Sequence, residues 1–295
     1  MANKIRETLT RNDKKTMKKI SILALSIVAM FNSFSAFGWG AVGHDVVAAI
    51  AERNLTEKTR QEIDRLLEGR SIVYYSSWMD GIQNSPYWEY GYNQTKTWHY
   101  ANVDVGYTYQ TMPKNENGDV VVAVDKLSKE LANNYANLTD SMKVDYLKMI
   151  VHMVGDMHCP MHSGRLSDLG GNRMKVKWFG RQTNLHSIWD STFIEAARKW
   201  TYTEWTDQLD RTSAEYKASV MCGTPEEWFI ETVGYAASVY AYVEALGENP
   251  NLSYQFIFDF SPLLEQQLLI GGYRLAYVLN SIFDPASAEE EFVVY

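Results

Sequence analysis

Apolar residues recur at helical spacing along most of the chain, and one stretch mixes them with groups that carry chemistry. Residues 147–162 read Leu-Lys-Met-Ile-Val-His-Met-Val-Gly-Asp-Met-His-Cys-Pro-Met-His. At about 100° per residue His152 and Asp156 share one helix face, while Leu147, Ile150, Val151 and Val154 form a stripe roughly opposite. The pattern predicts a central helix over about 139–158 that packs on one side and presents an imidazole and a carboxylate on the other. Pro160 cannot continue it, so His162 falls just past its end, where the turning chain can aim it back. Gly155 leaves room for another backbone to come close.

The same periodicity predicts helices elsewhere. Val47, Ala48, Ile50, Ala51 and Leu55 mark one after His44; Thr56 caps the next, whose buried side is Ile63, Leu66 and Leu67 and whose left-handed exit is Gly69. Residues 103–120 read as a loop, followed by a helix through Leu131. Gly170-Gly171-Asn172 is a turn signal, and residues 174–183 alternate Val176 and Trp178 with Lys175 and Lys177 around Gly180, as a small hairpin does. Helical spacing resumes over 184–199. Thr224-Pro225-Glu226-Glu227 is a capping box leading to Gly247, and Ser261-Pro262 opens a last helix packed through Leu264, Leu268, Leu275, Tyr277 and Leu279. Gly271 and Gly272 imply close helix packing there. The fold class expected is all-α, mainly helical, with a small β-hairpin.

Composition changes this picture at the N-terminus. With 295 residues and 46% hydrophobic content the chain can bury a large core. Residues 1–38 stand apart: Lys14, Lys15, Lys18 and Lys19 precede an apolar run over 20–31, and Ala36-Phe37-Gly38 offers small residues at a cleavage site. This reads as a secretory signal peptide, with an uncleaved anchor as the alternative and Met17 as an alternative start, leaving residues 39–295 as a single domain in a secreted or periplasmic protein. Removing 1–38, which hold seven Lys/Arg and two Asp/Glu, takes the formal charge from −8 to −13. Such a body repels polyanions, so a phosphate substrate would need a strong local source of positive charge. Cys159 and Cys222 could pair, or stand as two buried thiols; Cys159 as a metal thiolate is a third option.

Candidate chemistry comes from a second pair. In Asn184-Leu185-His186-Ser187-Ile188-Trp189-Asp190, His186 and Asp190 are again four apart. One such pair is most simply a surface contact worth a few tenths of a kcal/mol. Two favour a shared metal site, because neutral imidazole and carboxylate are the N and O ligands that zinc takes.

The motifs together resemble a known family. Trp39 with His44 five residues later, His-x-x-Gly-Asp-x-His-x-Pro-x-His at 152–162, Gly-Gly-Asn at 170–172 and Asn-Leu-His-x-x-Trp-Asp at 184–190 are similar to the zinc-dependent single-strand nucleases of the S-one/P-one type, over 39 to about 283. The resemblance implies a helical fold shared with zinc phospholipases C and three zinc ions. It gives His99, His152 and Asp80 to one zinc, and Trp39, through a freed α-amine and its carbonyl, with His44 to a second; Asp156 bridges the two, and His162, His186 and Asp190 hold the third. Alone, Asp80 would read as a helix cap. His158 lies about 240° around the helix from His152 and is left as structural.

Activity follows from the same resemblance: hydrolysis of single-stranded DNA and RNA, and of 3′-nucleotides, to products that include a 5′-phosphate. Asp156 links the metal pair that supplies the nucleophile, Asp80 orients that nucleophile, and Tyr100 stacks on a base. By its residues alone Tyr100 reads as a core tyrosine. Two positions depart from the better-known members. Gln83 stands where a basic residue meets phosphate, and Asn102 where an Asp reads the base edge, so phosphate binding should weaken and base preference change. A zinc phospholipase C, which generally presents Glu at the position of Asp190, and a non-catalytic zinc-stabilised module are the alternatives. The expected state is a monomer with no stable protein partner.

Overall fold

A computed structural model of the chain describes residues 39–82 and 95–286; the expected signal segment 1–38 and Gln83 lie outside them. Helix α1 (Ala41–Arg53) is followed by α2 (Glu57–Leu66), capped as expected by Thr56, whose hydroxyl accepts the Thr59 N–H. The chain leaves α2 through Glu68 and Gly69 at φ 54° and 76°. A 3-10 turn over Ile72–Tyr75 leads into the short α3 (Trp78–Ile82), and another covers Lys96–His99. After the expected loop, Asp119 caps α4 (Val120–Asn133) and Thr139 caps the central α5 (Asp140–Met157).

Strands β1 (Lys175–Trp178) and β2 (Arg181–Asn184) pair antiparallel, from Lys175 opposite Asn184 to Trp178 opposite Arg181. Phe179 and Gly180 turn the hairpin at φ 49° and 81°, the doubly positive pair of a two-residue turn that matches strand twist. A third strand, β3 (Asn251–Leu252), runs parallel to β1. Its two residues are too few to show an alternation in sequence. Residues 185–197 form α6, in which Leu185–Ser187 and Phe193–Ala197 flank a π segment, Ile188–Thr192. Then come α7 (Tyr202–Leu209), α8 (Ala214–Val220), α9 (Pro225–Ala245) and α10 (Tyr254–Phe283). The mainly helical class with its small sheet is what the periodicity predicts.

Three expectations need correction. Helix α10 does not open at Ser261-Pro262; it begins at Tyr254 and carries Pro262 inside. An interior proline costs about 3 kcal/mol. Here Ser261 Oγ donates to the Ile257 carbonyl at 2.6 Å, and the carbonyl that Pro262 leaves free belongs to Phe258, a residue 79% exposed, where water can reach it. Burial of Leu264, Leu268, Leu275 and Leu279 offsets the cost. Helix α5 is not two-faced either: from Met149 to Met157 it is buried all round, polar side chains included. The cysteines are free, and only Cys159 is fully buried, with Cys222 intermediate.

Helix α10 packs along α1, and both pack on α5. A Cβ built on Gly272 would come 2.5 Å from Ile50 Cβ and Cγ2 and 3.1 Å from the Val47 carbonyl oxygen. The glycine is therefore what lets the α10 backbone approach α1. Gly272→Ala is expected to destabilise by about 1–3 kcal/mol through overpacking, lowering Tm by about 2–4 °C for each kcal/mol at this chain size. Gly234→Ala, on an exposed stretch of α9 with nothing within 4 Å of the new methyl, should be neutral or slightly stabilising. Paired thermal melts check the contrast.

Candidate metal centre

The centre forms where α5 ends. On α5, His152 and Asp156 are one turn apart, with His152 Nε2 3.2 Å from Asp156 Oδ2. Helix α1 brings His44 beside them, its Nε2 3.2 Å from Asp156 Oδ1 and its ring stacked on that of His152 at 4.0 Å. Gly155 makes that possible: a Cβ there would lie 2.8 Å from His44 Nδ1. What approaches Gly155 closely is thus an imidazole rather than a backbone. From the 3-10 turn before Tyr100, His99 Nδ1 reaches Asp156 Oδ2 at 3.0 Å; from α3, Asp80 Oδ1 lies 3.4 Å from His152 Nε2 and 3.6 Å from His99 Nδ1. Beyond Pro160 a 3-10 turn (Pro160–Ser163) carries His162 back toward the site, Nδ1 3.7 Å from Asp156 Oδ1. His162 Nε2 is 3.6 Å from Asp190 Oδ1, and His186 Nε2 is 3.2 Å from Asp190 Oδ2.

Among the described residues, three groups of side-chain atoms that could hold a metal result: His44, His152 and Asp156; Asp80, His99 and His152; His162, His186 and Asp190. Every His and Asp that the resemblance assigns to a zinc is therefore in one of them. The remaining expected ligand, Trp39, is fully buried, and the next residue, Gly40, donates its N–H to the backbone carbonyl of Asp190. The main chain at Gly40 is thereby tied to the third group.

The rings are held by backbone acceptors that no residue pattern announces. His152 Nδ1–H donates to the Ser76 carbonyl at 2.8 Å, His162 Nδ1–H to the His99 carbonyl at 2.6 Å, and His186 Nδ1–H to the Gly170 carbonyl at 2.6 Å. A carbonyl can only accept, so each bond fixes the tautomer and turns an Nε2 lone pair inward, the arrangement typical of metal-ligating histidine. Residues 99–103 are laced to 162–164 by Ala101 N–H to the His162 carbonyl (3.0 Å) and Val103 N–H to the Gly164 carbonyl (2.7 Å). Ser76 also donates its hydroxyl to Asp45 Oδ1 at 2.5 Å.

A bound cation suits these residues because their inward atoms lack other partners. Nε2 of His44, His162 and His186 and Oδ1 of Asp80 and Asp156 are buried without a hydrogen-bond partner. Such a collection is costly unless something satisfies it. In the metal-free chain protons do part of this. Burial opposes charge on His162, yet Asp156 and Asp190 raise its pKa to about 9. His152, also opposed by burial, is raised well above the ordinary histidine value by Asp156 and Asp80. Burial likewise opposes ionisation of Asp156, but His152 and His162 hold its carboxyl well below the usual range. His44 goes the other way, pushed down by burial and by the charge on His152.

Tyr100 follows His99 on extended backbone and is half-buried. Asn102 is half-buried, with its Oδ1 enclosed and lacking a hydrogen-bond partner, and a Cβ on Gly170 would stand 3.1 Å from that oxygen. Both therefore lie on the segment that links the His99 turn to the third group. Cys159 Sγ is 4.0 Å from Asp190 Oδ1; burial and that carboxylate push its pKa well up, so it stays a thiol and is not among the metal-holding groups. His158 is buried and outside those groups too. Burial and the nearby Arg274 charge lower its pKa to about 3, which keeps the ring neutral.

A mainly helical body around buried imidazoles and carboxylates arranged to hold cations is the class that this geometry defines. Comparison with known proteins makes it specific. The S1/P1 Nuclease family matches residues 39–284. Endonuclease 3 of Arabidopsis thaliana is 29% identical, with 90% of this chain and 94% of the relative aligned. Nuclease S1 of Aspergillus oryzae is 26% identical over 88% of this chain and 97% of its own, and nuclease P1 of Penicillium citrinum 24% over 83% and 97%. The chain belongs to the S1/P1 nuclease family and is a hydrolase acting on phosphodiester bonds.

Loading the metal-free protein with a divalent cation at pH 7.5 is expected to expel about one to two protons per chain, since the cation replaces protons on His162 and His152. Cation affinity should fall as pH drops, because more ligand nitrogens are then protonated. Calorimetry in buffers of different ionisation heat measures the release; none at pH 7.5 would contradict the protonation assigned to these two rings.

Proposed function

We propose that this chain is a secreted, zinc-dependent phosphodiesterase that hydrolyses single-stranded DNA and RNA to 5′-phosphate products and also acts on 3′-nucleotides. The observation that carries the reading is the set of inward lone pairs on His44, His162, His186, Asp80 and Asp156, buried and without hydrogen-bond partners. His99, His152, Asp80 and Asp156 would hold one zinc; Trp39, His44 and Asp156 a second; His162, His186 and Asp190 a third. When bound, zinc supplies charge neutralisation for the phosphodiester and lowers the pKa of water toward about 7.

The chain's own residues bind and orient. Asp156, with both oxygens facing imidazoles, fixes the spacing between the first two groups. Asp80 is the most accessible carboxylate of the three groups, its side chain 13% exposed against 5% for Asp190 and none for Asp156, which supports it as the residue that would orient an attacking water. Tyr100 offers a ring face to an unpaired base, worth about 1–3 kcal/mol per base and indifferent to base identity. Duplex bases are stacked on one another and cannot use it, which favours single strands. Asn102, whose side chain carries amide N–H donors, would meet a base edge where a carboxylate could only accept. Residues 1–38 act as a signal peptide, and their removal frees the α-amine of Trp39.

Protein beginning at Trp39 should degrade single-stranded DNA and RNA far faster than duplex, lose activity to a chelator and regain it with zinc. Asp156→Asn should lower kcat/KM by roughly 10³-fold or more. Phosphatidylcholine hydrolysis without nucleotide release would favour a phospholipase, and zinc-dependent stabilisation without turnover a binding module.

Adding one residue before Trp39 turns its amine into an amide, a poor ligand, and should cut activity at least about tenfold. Parallel assays of the two N-termini check this; equal activity would remove Trp39 from the ligand set.

A further inference from the structure

His158 lies between two candidate ligands, Asp156 and His162, and belongs to none of the metal-holding groups found among the described residues. It is the C-cap of α5, with its ring fully buried and its own N–H bonded to the Gly155 carbonyl at 3.0 Å. Nδ1 lies 2.7 Å from the Val154 carbonyl oxygen, and Nε2 lies 3.3 Å from Arg274 Nη1. The chemistry of these partners leaves one solution. A carbonyl only accepts, so Nδ1 carries the proton; a guanidinium only donates, so Nε2 is the acceptor. Arg274 comes from α10, 116 residues away, and is 7% exposed. Its Nη2 donates to Glu231 Oε2 on α9 at 2.7 Å, and its guanidinium carbon stands 5.3 Å from the centre of the Trp228 ring. One turn before Arg274, Gly271 leaves room for the imidazole: a Cβ there would sit 3.3 Å from His158 Cγ.

We propose that Arg274 is a positioning residue for the metal centre: held by Glu231, it pins His158 and so fixes the end of α5, where the chain turns between Asp156 and His162. From that end Cys159 N–H bonds the Asp156 carbonyl at 2.9 Å, and His162 N–H bonds the Cys159 carbonyl at 2.9 Å, so the turn passes directly from the pinned cap to the ligand. If the cap tilts, His162 and Asp190 lose their spacing while Asp80, His99 and His152, carried by other elements or earlier turns, keep theirs. The inference rests on the metal-centre reading above.

The test measures cobalt(II) binding by chelator competition and the visible spectrum of the cobalt-loaded protein, alongside melting of the metal-free chain. Arg274→Met should weaken cobalt binding at the His162, His186 and Asp190 site about 10- to 100-fold and change the spectrum, the range expected when a residue supporting a ligand is lost. Arg274→Lys should restore part of the affinity. Glu231→Gln lies at a half-exposed side chain, 49% accessible, so it keeps the fold and should weaken the same site a few-fold. In a His158→Phe background Arg274→Met should add little, because both act through one contact. Wild-type affinity and spectrum in Arg274→Met and Glu231→Gln, whatever their melting temperatures, would overturn the proposal. Full additivity with His158→Phe would also overturn it. Wild-type protein that binds no cobalt would instead overturn the metal-centre reading, and this inference with it.

Discussion

One buried carboxylate constrains the rest. Asp156 has no solvent access, and its two oxygens face four imidazoles: Oδ1 toward His44 and His162, Oδ2 toward His99 and His152. Removing a carboxylate from water costs several kcal/mol even after relaxation, and unpaired it would simply take up a proton. Here it is held ionised, with burial outweighed by positive charge on His152 and His162. The same low-dielectric setting that makes the charge expensive makes each of its interactions strong. A carboxylate so enclosed is stable only while cations or protons surround it, and that requirement sets where α1, α3, α5 and the two histidine-bearing 3-10 turns can lie.

Meeting it takes a layer of backbone around the ligands. The carbonyls of Ser76, His99 and Gly170 each accept an Nδ1–H, so three rings are locked in rotation and tautomer by main chain rather than by other side chains. Main-chain acceptors cannot change protonation state, which leaves the titratable groups facing inward. The π segment of α6 belongs to the same scheme. It falls at Ile188–Thr192, two residues after His186, and contains Asp190, so the widened turn carries one carboxylate of the third group.

Sequence showed what periodicity can show. His152 with Asp156, and His186 with Asp190, were legible as i, i+4 pairs, as was the break at Pro160 that returns His162. Asp80 and His99 were not. They sit on a five-residue helix and a four-residue 3-10 turn, too short for any period, and only the family resemblance singled them out. The carbonyl tethers were invisible because every residue has a carbonyl and only the folded path aims it. Local propensity disfavours an interior proline, so Pro262 alone points to a helix start; tertiary burial of α10 outweighs it. A glycine at 155 marks a point of close approach, but sequence does not say that an imidazole, rather than a backbone, takes the space.

The side chains that could hold a metal run from His44 to Asp190 among the described residues, and no single element carries a complete group. An unfolded chain therefore offers a cation only the two i, i+4 pairs, each weak by itself. Cation binding and folding must then be linked, because nearly all the binding free energy is available only to the native chain. A single site filled at 100 times its Kd adds about 2.7 kcal/mol to native stability, comparable with one or two well-buried side chains. It follows that packing and chemistry are not separable in this protein. Tight contacts such as that of Gly272 on Ile50 hold α1 against α10, α1 carries His44, and His44 meets the carboxylate on which the centre converges.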